Sequence, residues 1–440
     1  DKIATRSWGP AMTGQSVEKW DGSTDALAAR NNIDNFFRTG VSVNQNLSFQ
    51  QQVKNTSIYA SVTRLDDKSK IPGADLQRTN LLARATSKLG KTEKLTLDTK
   101  IQYINSNVKN RPLGGANTSN SFSTLYLFPR SLDITDFSSA INPATGNMLW
   151  YGTSNQINPY WNYQYNRNQD VRDRFLMNAS LKYEITSWLN AEVKLGNDQY
   201  TTNTESFVHA GSPLVTNGRF GTGKETFSES NFMALLTARK DNAFGKFGVS
   251  GSLGGNLMSQ KRSWIRGNVG ELEVPNLFSL NNGINPATIN EGLNRKKINS
   301  LFGTAQLSYD NYWFLDLTLR NDWSSTLSKE NRSFLYPSVS TSFVFSDMIS
   351  ANGGNLPKWY SYGKIRASIA QVGNDLNPYQ IYNTYNIGKD PNGNTTASRN
   401  PVLYNPAVRN ELITSTEIGF ESRFLDGRIG FDIAWYKSNA

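Results

Sequence analysis

The sequence predicts an all-β protein, a transmembrane antiparallel β-barrel, on three observations. Apolar residues recur at every second position through most of the chain. The segments that carry them are joined alternately by tight turns and long polar loops, and the positions opposite the apolar ones carry full charges. Alternation marks a strand with one dry and one wet face. Turns that are short at one end and long at the other are the layout of a membrane-spanning barrel. Charges in the wet row suit a watery lumen, because a protein core would leave them unpaired.

The elements follow in order. Residues 1–34 are polar and irregular, with Ser7-Trp8-Gly9-Pro10 as a turn, and 35–440 read as the barrel portion. Val41, Val43, Leu47 and Phe49 alternate with Ser42, Asn44, Asn46 and Ser48. A short turn at Val53-Lys54-Asn55 leads to Ile58, Ala60 and Val62, and after Asp66-Asp67-Lys68 a loop through Ile71-Pro72-Gly73 reverses the chain. Leu81, Ala83, Ala85 and Leu89 come next. Past Gly90-Lys91-Thr92, the run Leu95, Leu97, Ile101 and Tyr103 faces away from Thr96, Asp98, Lys100 and Gln102. Residues 105–170 lose the period and are rich in Asn, Ser, Gly and Pro; a connection this long is usually functional.

The clearest hairpin covers residues 172–200. Phe175, Met177, Ala179, Leu181, Tyr183 and Ile185 alternate with Arg174, Asn178, Ser180, Lys182 and Glu184; Thr186-Ser187-Trp188 turns; Ala191, Val193 and Leu195 then oppose Glu192 and Lys194. Irregular stretches are expected at 201–226 and 262–297, on either side of Phe247, Val249, Leu253 and Leu257. Leu301, Ala305, Leu307 and Tyr309 turn at Asp310-Asn311 into Trp313, Leu315, Leu317 and Leu319, with Asp316, Thr318, Arg320 and Asp322 opposite. A shorter loop at 324–336 precedes Val339, Thr341, Phe343 and Phe345. Beyond a connection at 346–362, Ile365, Ala367 and Ile369 stand against Lys364, Arg366 and Ser368. After a last long loop, 373–412, Ile418, Phe420 and Phe424 pair through Asp426-Gly427 with Ile429, Phe431, Ile433 and Trp435, a two-residue hairpin signal. The tally is about fourteen strands of roughly ten residues. Their lumen-facing polar set includes Asp98, Lys100, Lys182, Glu192, Lys194, Asp316, Arg320 and Arg366.

Composition narrows the chemistry. With 37% hydrophobic residues and a mean hydropathy of −0.53, no window approaches the run of about 18 apolar residues that a spanning helix needs, so a membrane role must use strands. The absence of cysteine excludes disulfides and thiolate metal sites, and the single histidine, His209, leaves little imidazole chemistry. The net charge of +10 is scattered through alternating segments without a basic run, so no nucleic-acid partner is expected.

One long loop crowds Trp150, Tyr151, Tyr160, Trp161, Tyr163 and Tyr165 beside Asn155, Gln156, Asn162 and Gln164. Flat rings cover the apolar faces of sugars and amides bond their hydroxyls, so these aromatics are candidate substrate contacts; the alternative is that they pack the loop onto itself, onto a lid, or into an interfacial girdle. Residues 218–225, Gly-Arg-Phe-Gly-Thr-Gly-Lys-Glu, fall short of a phosphate-binding loop because Glu225 stands where Ser or Thr must hold magnesium, and they read as a glycine-rich loop. Gly248, Gly251, Gly254 and Gly255 lie inside an alternating strand rather than before a helix. Asp390-Pro391-Asn392-Gly393-Asn394 has its glycine out of register for a calcium loop and reads as a turn. Asp66 and Asp67 are adjacent on a strand and point apart. No catalytic constellation, metal site or cofactor site emerges, and no enzyme is expected.

Several motifs in this order and spacing resemble one family: Ser7-Trp8-Gly9-Pro10, Asn35-Phe36-Phe37-Arg38-Thr39-Gly40, Ile71-Pro72-Gly73-Ala74-Asp75 followed by Arg78, and Asn110-Arg111-Pro112. Further on come Arg320-Asn321-Asp322-Trp323-Ser324-Ser325 leading to Tyr336-Pro337-Ser338-Val339-Ser340, then Lys364-Ile365-Arg366-Ala367-Ser368 with Gly373-Asn374, and Asn405-Pro406 leading to Glu417-Ile418-Gly419-Phe420. They resemble the SusC/RagA-type TonB-dependent outer-membrane transporters of the Bacteroidetes. The chain departs at Trp323, where the family usually has glycine, and at Leu412, where it often has tryptophan. The resemblance implies a 22-stranded barrel of the outer membrane of a Gram-negative bacterium, with the TonB box and plug expected before Asp1 and further strands beyond Ala440. It also implies TonB-dependent import of a glycan or oligopeptide, with TonB, outer-membrane lipid and a SusD-like surface lipoprotein as partners. The alternative is a surface-exposed β-rich glycan-binding protein or adhesin without transport.

Overall fold

The computed structural model of the chain describes residues 9–115, 119–152 and 156–440; Ser7, Trp8 and Asn155 lie outside them. A small hairpin, β1 (Ser16–Glu18) with β2 (Thr24–Ala26), and a short helix α1 (Asn32–Phe36) precede the main sheet. The sheet then runs through β3 (Val41–Val53), β4 (Thr56–Lys68), β5 (Asp75–Leu89), β6 (Leu95–Lys109), β7 (Asn168–Glu184), β8 (Leu189–Val208) and β9 (Arg219–Phe244). It continues with β10 (Phe247–Val269), β11 (Thr288–Tyr309), β12 (Trp313–Ser324), β13 (Ser333–Phe343) and β14 (Tyr360–Asn374). A separate hairpin, β15 (Tyr385–Lys389) with β16 (Thr395–Arg399), interrupts the connection to β17 (Glu411–Phe424) and β18 (Ile429–Asn439). Fourteen strands, β3–β14 and β17–β18, thus make one antiparallel sheet in which every strand pairs with its neighbour in that order. The connection between β6 and β7 holds α2 (Ser121–Leu127) and α3 (Pro159–Gln164); that between β13 and β14 holds α4 (Phe345–Ala351).

The register sorts the side chains into two faces. Asp98 of β6 stands opposite Ser180 of β7, Ser180 opposite Lys194 of β8, and Lys194 opposite Met233 of β9, which in turn faces Asn256 of β10. The next row on the other face reads Leu97, Leu181, Val193, Ala234 and Gly255. Large apolar side chains on this second face are left open: Leu47 at 73%, Leu253 at 58% and Ile433 at 66% exposure, together with Leu195, Leu301, Leu317 and Ile365. Water would penalise such a continuous surface by about 25 cal/mol for every Å²; lipid does not. The expected two-faced barrel wall is what the chain forms.

Several strands run further than the alternation predicts. Residues 201–208 extend β8 and 219–226 belong to β9; 262–269 and 288–297 belong to β10 and β11. The glycine-rich stretch 218–225 is therefore strand and not loop from Arg219 onward. Gly221 and Gly223 sit where side chains of neighbouring strands cross: a Cβ on Gly221 would lie 2.6 Å from Asn268 Oδ1, and one on Gly223 3.0 Å from Thr204 Oγ1. Beyond the bilayer both faces of a ribbon meet water, so the pairing continues while the period-two signal fades. The predicted two-residue turn at Asp426-Gly427 is a four-residue connection, 425–428, in which Leu425, Asp426 and Gly427 all take positive φ. The turn at Asp390 is as expected, its carboxylate accepting hydrogen bonds from Asn392 N at 2.9 Å and Asn394 N at 2.8 Å.

At the short-turn end, aromatic rings on the apolar face form a girdle of the kind that marks a membrane interface. Phe247 contacts Tyr309 at 4.8 Å between ring centroids, Tyr309 contacts Tyr312, and Trp359 stacks on Phe424 at 5.9 Å. The largest buried hydrophobic cluster among the described residues lies outside the sheet. It is built by the 110–167 connection and the segment before β3, with Phe36, Leu125, Phe128, Ile134, Phe137, Trp150 and Trp161 among its members. Residues 9–34, expected to be irregular, hold the β1–β2 hairpin and dock there: Trp20 lies 5.0 Å from Phe137, and Asn32 Nδ2 donates to Leu132 O at 2.9 Å.

Candidate functional site

The polar face is concave. Arg84 on β5 and Arg320 on β12 line one cavity of about 760 Å³ together with Asp98, Lys182, Glu192 and Lys194. Those two strands are seven steps apart in the sheet, which is about 34 Å if it lay flat. The sheet must therefore curl around this face, and five of the eight residues expected in the lumen meet on its wall. Lys100 shares their face through its register with Asn178, while Asp316 and Arg366 lie on the same face farther round, Asp316 opposite Ser340 and Arg366 opposite Ser342.

Most of these charges are held by neighbours. Arg84 grips Asp98 through Nε at 3.0 Å and Nη2 at 2.7 Å, and Thr86 Oγ1 donates to the same carboxylate at 2.7 Å. Lys194 and Glu192, two apart on one strand and so on one face, pair at 3.2 Å. Arg320 bonds Asp322 at 2.9 Å and Ser300 Oγ at 2.8 Å while lying over the Phe302 ring. Arg366 bridges Glu417 at 3.3 Å and Asp432 at 2.9 Å, and Asp316 accepts from Gln306 Nε2 at 2.6 Å. Of the eight, six are held by neighbours and the Lys100 and Lys182 ammonium groups have no carboxylate partner among the described residues, an arrangement suited to guide a hydrated polar solute rather than to fix one in a dry pocket.

Two polar clusters on this face escape the motif reading. Lys296 Nζ meets Asp375 Oδ1 at 2.5 Å, with the Asp375 side chain only 5% exposed. Ser324 Oγ and Thr326 Oγ1 donate to its other oxygen, the latter at 3.1 Å. Asp375 directly follows β14, so this node pins the stem of the 375–410 connection to β11 and β12. The alternation Arg320, Asp322, Ser324 signals one shared face, but nothing local to Asp375 signals its partner. The second cluster stacks Tyr200 on Phe227 at 4.9 Å with Arg172 over the Tyr200 ring at 4.4 Å, and Trp264 beside them lies across Gly292.

The aromatics of the 110–167 connection have another fate. Trp161 is fully buried and Tyr160, Trp150 and Tyr151 nearly so; Tyr163 and Tyr165 pack partly buried against them. Trp161 stacks on Tyr165 at 4.4 Å, Trp150 lies 5.4 Å from Phe128, and Tyr160 meets Phe36 edge-on at 5.1 Å. The local sequence explains this: Asn158 caps α3 by accepting from Tyr160 N at 2.9 Å, Pro159 opens the helix, and Asn158 Nδ2 donates to Phe137 O and Leu149 O. The amides serve the loop as well, Asn162 donating to Ser119 O at 2.9 Å and Gln164 to Ser138 O at 3.1 Å. Burial, aided by neighbouring Tyr163 and Asp133, pushes the Tyr160 hydroxyl up to about 12. These side chains build the loop's own core, the packing alternative, and Trp150, Tyr151, Tyr160 and Trp161 offer a sugar no open ring face. His209 completes the cluster edge-on to Trp161 and Tyr165, its Nδ1 3.0 Å from Ala210 O. No group of three or more metal-ligating side chains occurs among the described residues.

A family model described as "TonB dependent receptor-like, beta-barrel" matches residues 107–440. The chain is 28% identical over 149 residues to TonB-dependent receptor P26 of Formosa agariphila, a match that covers 32% of this chain and 14% of that protein. Among solved structures it superposes on the RagAB peptide transporter with a TM-score of 0.77 at 17% identity, covering 93% of this chain and 45% of that one. The siderophore receptor PiuA of Acinetobacter baumannii gives 0.54 at 12% identity, over 90% of this chain and 56% of the other. The two structural matches share the fold, and the chain spans less than half the length of the RagAB chain.

Proposed function

Because the chain belongs to the TonB-dependent receptor-like β-barrel family, and is an outer-membrane barrel protein, we propose that it walls the conduit of a TonB-dependent importer of a glycan or oligopeptide nutrient. The observation that carries this reading is the single-layered sheet itself, apolar on its convex face and lined with paired charges on its concave one. Residues 35–440 act as the barrel portion and 1–34 as the segment leading into it. The family is one of transporters and receptors rather than enzymes, and the reading assigns the chain no catalytic step and no cofactor. The RagAB likeness favours an oligopeptide among the two cargo classes. A SusD-like lipoprotein lid is supported by the apolar side chains that the 375–410 connection exposes, Tyr382 at 58%, Tyr385 at 68% and Ile387 at 71%. TonB is the energy-coupling partner in this reading.

Cells producing the receptor, offered labelled oligopeptides and oligosaccharides with and without a protonophore, test it. Uptake of one class that stops when the proton gradient collapses is expected. Surface binding without uptake, or a chain that is monodisperse without detergent, refutes import in favour of an adhesin.

A further inference from the structure

On the convex face at the long-loop end, Lys261 of β10 stands directly opposite Arg295 of β11, and Lys297 lies two residues along β11. All three side chains are exposed, and none has a carboxylate in salt-bridge range among the described residues. Their neighbours on the other face are satisfied: Gln260 donates to Glu229 at 2.9 Å and Lys296 pairs with Asp375. Like charges directly opposed across an antiparallel pair repel and weaken it, and an anion seated between them reverses the sign of that interaction. Glu291, the nearest acid on the same face of β11, is four residues beyond Arg295 and farther from the bilayer.

Depth identifies the anion. Leu257 and Leu301, both exposed on the apolar face, precede Lys261 and follow Lys297 by four residues. Four residues are about 13 Å of strand, or about 10 Å along the membrane normal at a tilt near 40°. The cations thus stand just outside the hydrocarbon, in the outer headgroup layer. Trp323 is on β12 opposite Asn299, also four residues past an exposed leucine, Leu319, and puts its 38%-exposed indole at the same level. On the other side, Lys261 borders a concavity of about 380 Å³ in which Gln199, Thr201, Thr226, Ser228 and Asp173 stand beside the aromatic Phe175, Tyr200 and Phe227. Asp173 lies three strands from Lys261 in the register and is occupied by Tyr103 Oη at 2.6 Å and Asn105 Nδ2 at 2.9 Å. Hydroxyls and an amide beside a group of cations match a phosphorylated sugar.

We infer that Lys261, Arg295 and Lys297, with the adjoining concavity, form a binding site for the phosphorylated sugar headgroup of an outer-leaflet glycolipid. The site depends on the barrel's place in the membrane and not on what the lumen carries, so it stands or falls separately from import.

The detergent-solubilised receptor, titrated with bis-phosphorylated lipid A, its dephosphorylated form and inorganic phosphate under native mass spectrometry, tests the inference. Lipid A adducts are expected on the wild type. The variant Lys261→Gln/Arg295→Gln/Lys297→Gln should bind it about a hundredfold more weakly, while Lys182→Gln on the opposite face leaves binding unchanged. Heat-modifiable mobility on gels establishes that each variant holds its barrel. Equal retention by wild type and triple variant, equal binding of the dephosphorylated lipid, or binding of free phosphate alone each overturns the inference.

Discussion

Replacing Asp375 tests how the 375–410 connection is held. Its carboxylate receives Lys296 Nζ at 2.5 Å and two hydroxyls, with 5% of its side chain exposed and 19% of that of Lys296. At an effective dielectric near 20 a pair this close attracts by about 7 kcal/mol, and desolvation cancels part of it. Removing one partner strands the other, so Asp375→Ala should loosen the stem of the loop by about 3 kcal/mol. That corresponds to amide exchange at residues 373–376, the end of β14 and the start of the loop, about a hundredfold faster, with the other barrel strands unchanged. Asp375→Asn, which keeps an acceptor for Ser324 and Thr326, should fall between wild type and Asp375→Ala. The double variant Lys296→Met/Asp375→Leu, which removes both charges, should recover most of the loss. Exchange at 373–376 that is the same in wild type and Asp375→Ala would mean that the loop is held elsewhere and the node is incidental.

Other expectations follow from the same geometry. Leu253→Arg, at mid-depth on the convex face, should destabilise the barrel by about 2–4 kcal/mol in lipid refolding titrations, whereas Asn256→Lys on the concave face should change it by under about 1 kcal/mol. Trp161→Ala opens a cavity in the loop core and should cost about 3–5 kcal/mol there, seen as proteolytic nicking between 110 and 167 without loss of the barrel. Tyr160 has its folded value raised by burial to about 12. Its contribution is fully present below the ordinary tyrosine value near 10 and is lost as pH rises through about 12, at about 1.4 kcal/mol per pH unit. Near-ultraviolet dichroism of the loop aromatics should follow that alkaline window, and Tyr160→Phe should remove the dependence.

Alternation is legible where lipid lies on one side and water on the other. Leu253 and Leu257 against Asn256, or Leu317 and Leu319 against Arg320, separate the faces at once. The same rule fails at Arg219–Thr226 and Thr288–Lys297, where both faces are wet and the ladder persists on backbone hydrogen bonds alone. Residue types also do not tell a buried ring from an offered one. Trp161 and Tyr165 suit a sugar as well as a core, and Asn158 and Pro159, which cap α3 and turn those rings inward, decide between them. The Lys296–Asp375 contact joins residues 79 apart through the path of a long connection, and no local period carries that information.

The strands differ greatly in length. β9 has 26 residues and β10 has 23, against 12 in β12 and 11 in β13. At the usual rise and tilt β9 reaches about 65 Å along the axis and β13 less than half of that. Along this stretch of wall the rim therefore drops from the tall ribbons β9 and β10 to the short β12 and β13, like the side of a pipe cut on the slant.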